Sequence, residues 1–132
     1  MSTLHPLLLV GAGGAAGAIA RYLLSTWTMQ VADAPRFPLG TFIVNVLGCL
    51  LVGLCAGFAA RLAWFDDDAR LLLMVGLLGG FTTFSAFGLE AVQLLRRGEW
   101  LIASSYVGGS VLLGIAAVFA GLWLAGAQAP QG

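Results

Sequence analysis

The chain has 132 residues, of which 60% are hydrophobic and 9% are charged. Soluble domains carry about 25% charged residues, so this composition excludes an ordinary soluble domain and indicates a membrane protein. The formal net charge is zero and lysine is absent from the sequence. No basic surface is available for nucleic acid, and we expect the lipid bilayer to be the protein's surroundings.

Four long apolar segments account for most of the chain. They cover about residues 7–29, 39–62, 71–95 and 100–124. As an α-helix, each would be roughly 35 Å long, which suffices to cross a bilayer core about 30 Å thick. We therefore predict an all-α membrane protein with four transmembrane helices and a single domain, residues 1–132.

The first segment contains a glycine-rich stretch, residues 11–17, with a weak likeness to the glycine turn of dinucleotide-binding proteins. That motif requires a βαβ unit, and three further apolar segments follow here instead. Gly13 and Gly17 have the spacing of four that is typical of closely packed membrane helices. Arg21 is the only charged residue within the segment. It is either an interfacial anchor or a residue that faces a water-filled vestibule and recruits an anion.

The second segment places Thr41, Asn45 and Gly48 on one helix face, because they recur at spacings of four and three. An isolated amide is costly in lipid. Asn45 therefore either forms an interhelical hydrogen bond or donates its NH2 group to a passing anion. Cys49 and Cys55 lie in the same apolar run without a second cysteine pair, and we interpret them as small hydrophobic residues.

The third segment contains the most unusual stretch of the sequence, residues 79–90. Two adjacent glycines, three hydroxyl residues and a glutamate lie there inside an apolar run. Glycine pairs destabilise a helix, and hydroxyl groups compete for backbone hydrogen bonds. We predict that the third helix is broken at mid-membrane. The break is either a packing site for small residues or an ion or substrate site, since irregular backbone in a bilayer must be buried or line a polar path.

Two further patterns involve side chains that could meet an anion. Phe84 and Phe87 are three residues apart and share one side of the third segment. They are either core aromatics or rings whose positive edges meet an anion. Tyr106, Ser110 and Gly114 recur at spacings of four in the last segment. That face either lines a polar track or packs closely against a neighbouring helix.

The connectors carry residues that are expected at helix ends. Asp66, Asp67 and Asp68 precede the third segment, and we predict that they cap its helix, because negative charge stabilises a helix N-terminus. Arg96 and Arg97 close the same segment at its negative end.

The arginines do not select an orientation in the membrane. With four spans, Arg61 and Arg70 lie on the same face as both termini, and Arg36, Arg96 and Arg97 lie on the opposite face. Three against two is too even for the positive-inside rule to choose. We hypothesise that the chain inserts both ways and pairs with its own inverted copy, as an antiparallel dual-topology homodimer.

Three blocks of the sequence, residues 13–22, 40–48 and 79–90, resemble the Fluc (CrcB) family of fluoride channels. The third block is the most specific, and the likeness extends over most of the chain. It implies a passive, fluoride-selective anion channel that exports cytoplasmic fluoride. It also implies a multi-pass protein of the bacterial plasma (inner) membrane, assembled as an antiparallel homodimer with two separate pores.

The resemblance further implies roles for individual residues. A structural sodium ion (Na+) is expected at the dimer centre, held by the backbone carbonyls of Gly79 and Thr82. Ala86 replaces a threonine that is usual in the family, and Gly114 stands where some members carry a further hydroxyl, so the polar lining is thinner here. The residues expected along the fluoride pathway are Asn45, Phe84, Phe87, Thr41, Ser85, Tyr106, Ser110, Arg21 and Glu90.

Two alternatives belong to other functional classes. A small dual-topology, proton-coupled multidrug or cation exporter needs a titratable acid at the centre of its site, and Glu90 lies toward the end of its segment. A helix-packing module without transport would also use small residues. We do not expect an enzyme, because the sequence offers no nucleophile–base pair or metal-ligand constellation.

Overall fold

Every regular element is a helix in the computed structural model of the protein, which describes residues 2–126. Residue 1 and residues 127–132, which the predicted domain includes, lie outside this range. In chain order, the elements are α1 (Leu4–Val31), α2 (Leu39–Ala59), α3 (Asp67–Ala69), a π-helix (Arg70–Leu78), α4 (Gly79–Phe81), α5 (Phe84–Arg96) and α6 (Trp100–Leu124).

Four stretches are long and apolar enough to cross a membrane, and the third of them runs from α3 to the end of α5. This confirms the predicted all-α, four-span architecture of a multi-pass membrane protein. α1 begins three residues earlier than predicted, because Pro6 lies in the first turn, where its missing N–H costs nothing. α2 ends three residues early, at Ala59, where the chain turns and Arg61 N and Leu62 N both donate to Phe58 O.

Side chains fix the ends of the third span. Asp66 Oδ1 accepts a hydrogen bond from Ala69 N at 2.9 Å, which confirms Asp66 as the capping residue. Asp67 and Asp68 belong to the first turn, where their charges favour the helix N-terminus. Arg96 lies in the last turn of α5. The third span therefore starts four residues before the predicted position 71 and ends one residue after 95.

α1 packs against the π-helix and α4 so closely that only glycine fits between them. Gly13 and Gly17 are buried on this face of α1. A Cβ atom on Gly17 would overlap the carbonyl oxygen of Leu77 and lie 2.8 Å from Phe81 N. A Cβ atom on Gly13 would lie 2.8 Å from Leu77 N. The close-packing interpretation of these glycines is therefore confirmed.

A second close approach joins α2 to α6. A Cβ atom on Gly53 would lie 3.1 Å from Val118 Cα, and one on Gly121 would lie 2.7 Å from Leu54 N. The first span thus packs most closely against the third, and the second against the fourth. The tightest contacts join spans that are not consecutive in the chain.

A small apolar cluster connects α5 to α6 beside these contacts. Its buried members are Ala91 and Leu94 from α5, and Ala103 and Tyr106 from α6. Tyr106 is fully buried, so its position depends on both helices. Partly buried side chains surround the cluster, namely Phe37, Phe42, Phe87 and Ile102.

Replacement of Gly17 by alanine is expected to lower the free energy of unfolding by about 1–3 kcal/mol, the usual cost of overpacking a filled interior. The added Cβ atom meets backbone atoms of Leu77 and Phe81, which cannot rotate away as a side chain would. Thermal unfolding of the purified protein in detergent, followed by circular dichroism, measures the loss.

Gly11→Ala is the matched control, because a Cβ atom at that position of α1 meets nothing within 4 Å. Alanine favours a helix over glycine by about 1 kcal/mol, so this variant should be at least as stable as the original protein. Equal unfolding temperatures for the two variants would show that the α1 contact is not tight.

Candidate functional site

The backbone leaves the helical conformation at two threonines between α4 and α5. Thr82 has φ −83° and ψ 154°, and Thr83 has φ −147° and ψ 115°, so both residues are extended. Gly79 keeps helical angles. A Cβ atom on Gly80 would lie 3.0 Å from Gly14 Cα. Gly80 therefore permits the approach of α1, and the extended residues are the threonines that follow the glycine pair.

Asn45 of α2 binds the extended backbone through both ends of its amide. Its Nδ2 donates to Thr83 O at 3.0 Å, and Thr83 N donates to its Oδ1 at 2.8 Å. The side chain thus replaces the backbone acceptor, Gly79 O, that Thr83 N would have had in a continuous helix, and it gives Thr83 O a donor from a neighbouring helix. Of the two interpretations of Asn45, the interhelical hydrogen bond is observed, and one of its two amide protons remains for another acceptor.

The carbonyl groups of residues 79–82 lose their helical donors at the same place, and Gly79 and Thr82 are the first and last of them. In a continuous helix, the Gly79 carbonyl would accept from Thr83 N and the Thr82 carbonyl from Ala86 N. Thr83 N instead donates to Asn45, and Ala86 N donates to Thr83 Oγ1 at 3.2 Å. Neither carbonyl has a replacement protein donor among the described residues. These are the two carbonyls that the sequence resemblance assigned to a cation.

Arg21 of α1 also contacts the backbone at the interruption. Its Nε donates to Gly80 O at 3.1 Å, which places a positive charge at the C-terminal, negative end of α4. Arg21 also lines a cavity of about 200 Å³. The other lining residues are mostly polar: Tyr22, Ser25, Thr26, Thr41, Thr83, Ala86 and Glu90.

Glu90 is held by hydroxyl groups from two other helices. Thr41 Oγ1 of α2 donates to Oε1 at 2.8 Å, and the Tyr106 hydroxyl of α6 donates to Oε2 at 2.7 Å. The sequence placed these three residues on separate helices without indicating that they meet. Their contact fixes α5 between α2 and α6 near the smaller cavity.

A larger groove, about 410 Å³ in volume, also borders the interruption, since Thr82 and Thr83 line it. Phe84 and Phe87 line it with ring centroids 5.7 Å apart, and Phe84 is 83% exposed in the single chain. Ser110 lines it with a buried hydroxyl oxygen that has no hydrogen-bond partner in the described part of the chain. The remaining lining residues are Asn45, Gly48, Cys49, Val52, Met74, Leu78, Gly79, Thr82, Thr83 and Val111.

The structure brings the expected pathway residues together in two groups. Asn45, Phe84, Phe87 and Ser110 meet in the groove with the two cation-site residues, and Arg21, Thr41 and Glu90 meet in the smaller cavity. Tyr106 and Ser85 line neither space. Tyr106 acts on Glu90 from the apolar cluster, and Ser85 is exposed, with its hydroxyl 3.4 Å from Thr83 Oγ1.

Sequence reasoning assigned no site role to several residues of the groove. Thr83 provides both backbone groups that Asn45 binds, although only its hydroxyl attracted notice in the sequence. Met74 and Cys49 line the groove, but their spacing in apolar runs carries no signal of such a role. No cluster of three or more His, Cys, Asp or Glu residues that would suit a metal occurs within residues 2–126.

Comparisons with known proteins find relatives that match most of the chain. The profile of the family described as "CrcB-like protein, Camphor Resistance (CrcB)" matches residues 8–122. A protein of Phenylobacterium zucineum named "Fluoride-specific ion channel FluC" is 51% identical over 123 residues, covering 92% of this chain and 96% of the relative. Relatives of the same name occur in Rhizobium etli, at 48% identity over 87% of this chain and 91% of the relative, and in Methylobacillus flagellatus, at 45% identity over 92% and 94%.

These matches cover both chains almost completely, at a level of identity far above what a shared fold alone would require. They confirm the resemblance that the three sequence blocks indicated, and the names of the relatives describe an ion channel, which is not an enzyme class. The chain belongs to the CrcB-like family.

Proposed function

We propose that the protein is a passive, fluoride-selective channel that carries fluoride out of the cytoplasm across the bacterial inner membrane. The observation that carries this proposal is the near full-length match to relatives named fluoride-specific ion channels. The groove beside Thr82 and Thr83 supports it, because weakly polar donors and aromatic rings converge there.

The lining of the groove suits an anion that must leave as readily as it enters. It contains no arginine, lysine, aspartate or glutamate, so no charged side chain would trap the ion. Asn45 has an amide proton to spare and Ser110 has an unpartnered hydroxyl, while the edges of Phe84 and Phe87 carry a partial positive charge. Several weak donors replace part of a hydration shell without holding the ion tightly.

The membrane potential is a sufficient driving force for such a channel. Fluoride enters as HF from acidic surroundings and dissociates inside, so that the cytoplasm retains the anion. A potential that is negative inside drives one negative charge outward by about 2.3 kcal/mol per 100 mV. No proton coupling is required. Glu90, the acid that an exporter would use, is engaged by two hydroxyl groups beside the smaller cavity, and the names of the relatives do not favour the exporter.

We further propose that two copies assemble as an antiparallel dual-topology homodimer with two pores. The near-even arginine distribution permits both orientations. In a single chain the groove is open on one side, and Phe84 is largely exposed beside exposed Val111. An inverted second copy would cover this face and complete a path between two protein walls.

A sodium ion at the dimer centre belongs to the same proposal, with the third helix broken at mid-membrane. The carbonyls of Gly79 and Thr82, which have lost their helical donors, would hold the ion, and carbonyl oxygens suit a hard cation. When bound, sodium would supply a positive charge that joins the carbonyls of both copies. Asn45 holds the extended residues 82–83 beside them.

Liposomes that contain the purified protein test the channel directly. We expect a fluoride electrode to record rapid fluoride efflux, because the groove offers only weak donors to a small anion. Chloride efflux from matched liposomes should stay near the protein-free background. Fluoride that leaks no faster than chloride would refute the proposed function.

Substitution of either groove phenylalanine should reduce the flux. Phe84→Ile and Phe87→Ile remove ring edges from the path, and each is expected to lower fluoride efflux about tenfold, equivalent to losing about 1.4 kcal/mol of stabilisation. Phe119→Ile is the matched control, since Phe119 is an exposed residue of α6 that does not line the groove. An equal reduction of fluoride efflux in all three variants would show that the rings of Phe84 and Phe87 have no specific role in the ion path.

Labelling of the termini tests the dual topology. A cysteine at position 2, in a variant with Cys49→Ala and Cys55→Ala, or a reporter fused after residue 132 should react with membrane-impermeant reagents on both sides of the cell membrane, because each orientation is populated. Both ends share one face in a four-span chain. Reaction of each end on one side only would rule out the inverted pairing.

Removal of sodium tests the central cation. Purification in N-methyl-D-glucamine salts in place of sodium salts is expected to increase the fraction of monomer, because the carbonyls would repel one another without the ion. Size-exclusion chromatography with light scattering in detergent measures that fraction, and returning sodium should restore the dimer. An unchanged dimer fraction in both salts would remove the sodium site from the proposal.

A further inference from the structure

A row of polar side chains on α6 continues onto α2. Tyr106, Ser110 and Gly114 share one face of α6 because they are four residues apart. The Tyr106 hydroxyl is occupied by Glu90. Ser110 Oγ is buried and has no hydrogen-bond partner among residues 2–126. At Gly114, the row has no side chain of its own.

Cys49 of α2 fills the space beside Gly114. A Cβ atom placed on Gly114 would lie 3.3 Å from Cys49 Sγ, its one neighbour from another helix within 4 Å. Cys49 also lines the groove together with Ser110, Asn45 and Phe87. The sulfur atom therefore lies beside the face of α6 that carries Ser110, in close contact with the position that a Cβ atom of residue 114 would occupy.

We propose that the thiol of Cys49 is part of the wall of the ion path, where it serves as a weak S–H donor to the passing anion. This inference rests on the proposed channel function and adds a residue to it. A thiol is a weaker donor than a hydroxyl. The Cys49 thiol therefore continues the polar row past Ser110 without binding the ion tightly. Tight binding would slow the release of the ion.

Cys55 provides an internal comparison. It is a free thiol on the same helix, with the same intermediate exposure as Cys49, but it does not line the groove. A reagent that reaches thiols from the ion path should therefore distinguish the two cysteines, although they are of the same type and only six positions apart.

Silver nitrate tests the assignment on the full-length protein in liposomes, with chloride omitted because silver chloride precipitates. Ag⁺ is a soft cation that binds cysteine sulfur. An Ag–S bond forms at the thiol and its proton passes to water. We expect Ag⁺ to lower fluoride efflux at least about tenfold in the original protein and in Cys55→Ala, and less than about twofold in Cys49→Ala.

The donor role predicts a difference between two variants without silver. Cys49→Ser keeps a proton on the side chain and is expected to carry more fluoride than Cys49→Ala. Equal efflux from these two variants would overturn the donor role. Silver inhibition that persists in Cys49→Ala, disappears in Cys55→Ala, or is absent from the original protein would overturn the placement of the thiol in the path.

A readout without transport separates this inference from the channel proposal. Untreated protein that carries no fluoride would refute the channel function itself. The placement of Cys49 is then decided by mass spectrometry, after Ag⁺ treatment of the liposomes, denaturation and alkylation with iodoacetamide. We expect Cys49 to be protected and Cys55 to be alkylated, and equal alkylation of the two would overturn the placement.

Discussion

The pair of hydrogen bonds between the Asn45 amide and the Thr83 backbone is the interaction on which the site depends. Two extended residues in a membrane span expose N–H and C=O groups, and each unsatisfied buried group costs about 1–3 kcal/mol, or several in hydrocarbon. Asn45 satisfies one donor and one acceptor at once. It thereby fixes where α5 starts, and with it the position of Phe84 and the directions of the Gly79 and Thr82 carbonyls.

The two ionisable side chains near the interruption form hydrogen bonds with neutral groups. Arg21 donates to a backbone carbonyl, and Glu90 accepts from two hydroxyls. Both residues line the smaller cavity, yet no salt bridge joins them in the described part of the chain. An ion pair there would cancel the field of each charge. Because different neutral groups bind them, the guanidinium group of Arg21 and the carboxyl group of Glu90 both remain at the edge of the smaller cavity.

Much of the fold was predictable from the sequence because each prediction depended on local information. Hydrophobic length determines the four spans, and Asp66 caps its helix through a contact three residues away. The spacing of Gly13 and Gly17 indicated close packing but not the partner, because the π-helix lies about sixty residues further along the chain. Partners at that distance depend on how the spans are arranged.

The candidate site was predictable in its residue types and less so in its geometry. The unusual stretch 79–90 predicted irregular backbone, but the glycines, the apparent helix breakers, remain helical, and Gly80 permits the approach of α1. Asn45 was recognisable as a costly buried amide, whereas its partner at Thr83 was not. Cys49 was interpreted as a small hydrophobic residue, because a thiol in an apolar run has no pattern that distinguishes a groove-lining position from packing, and its place beside Gly114 is visible only in the structure.

The interleaved packing of the spans, first on third and second on fourth, has a consequence for biosynthesis. The chain is synthesised from its N-terminus, so α1 enters the bilayer before the π-helix has been made, and α2 enters before α6. Each early span must persist in lipid on hydrophobicity alone, and the glycine faces close only when later spans arrive. Insertion and packing are therefore successive events with separate determinants. Since the glycine faces meet identically whichever way the bundle is inserted, folding within one chain is indifferent to which side of the membrane its ends occupy.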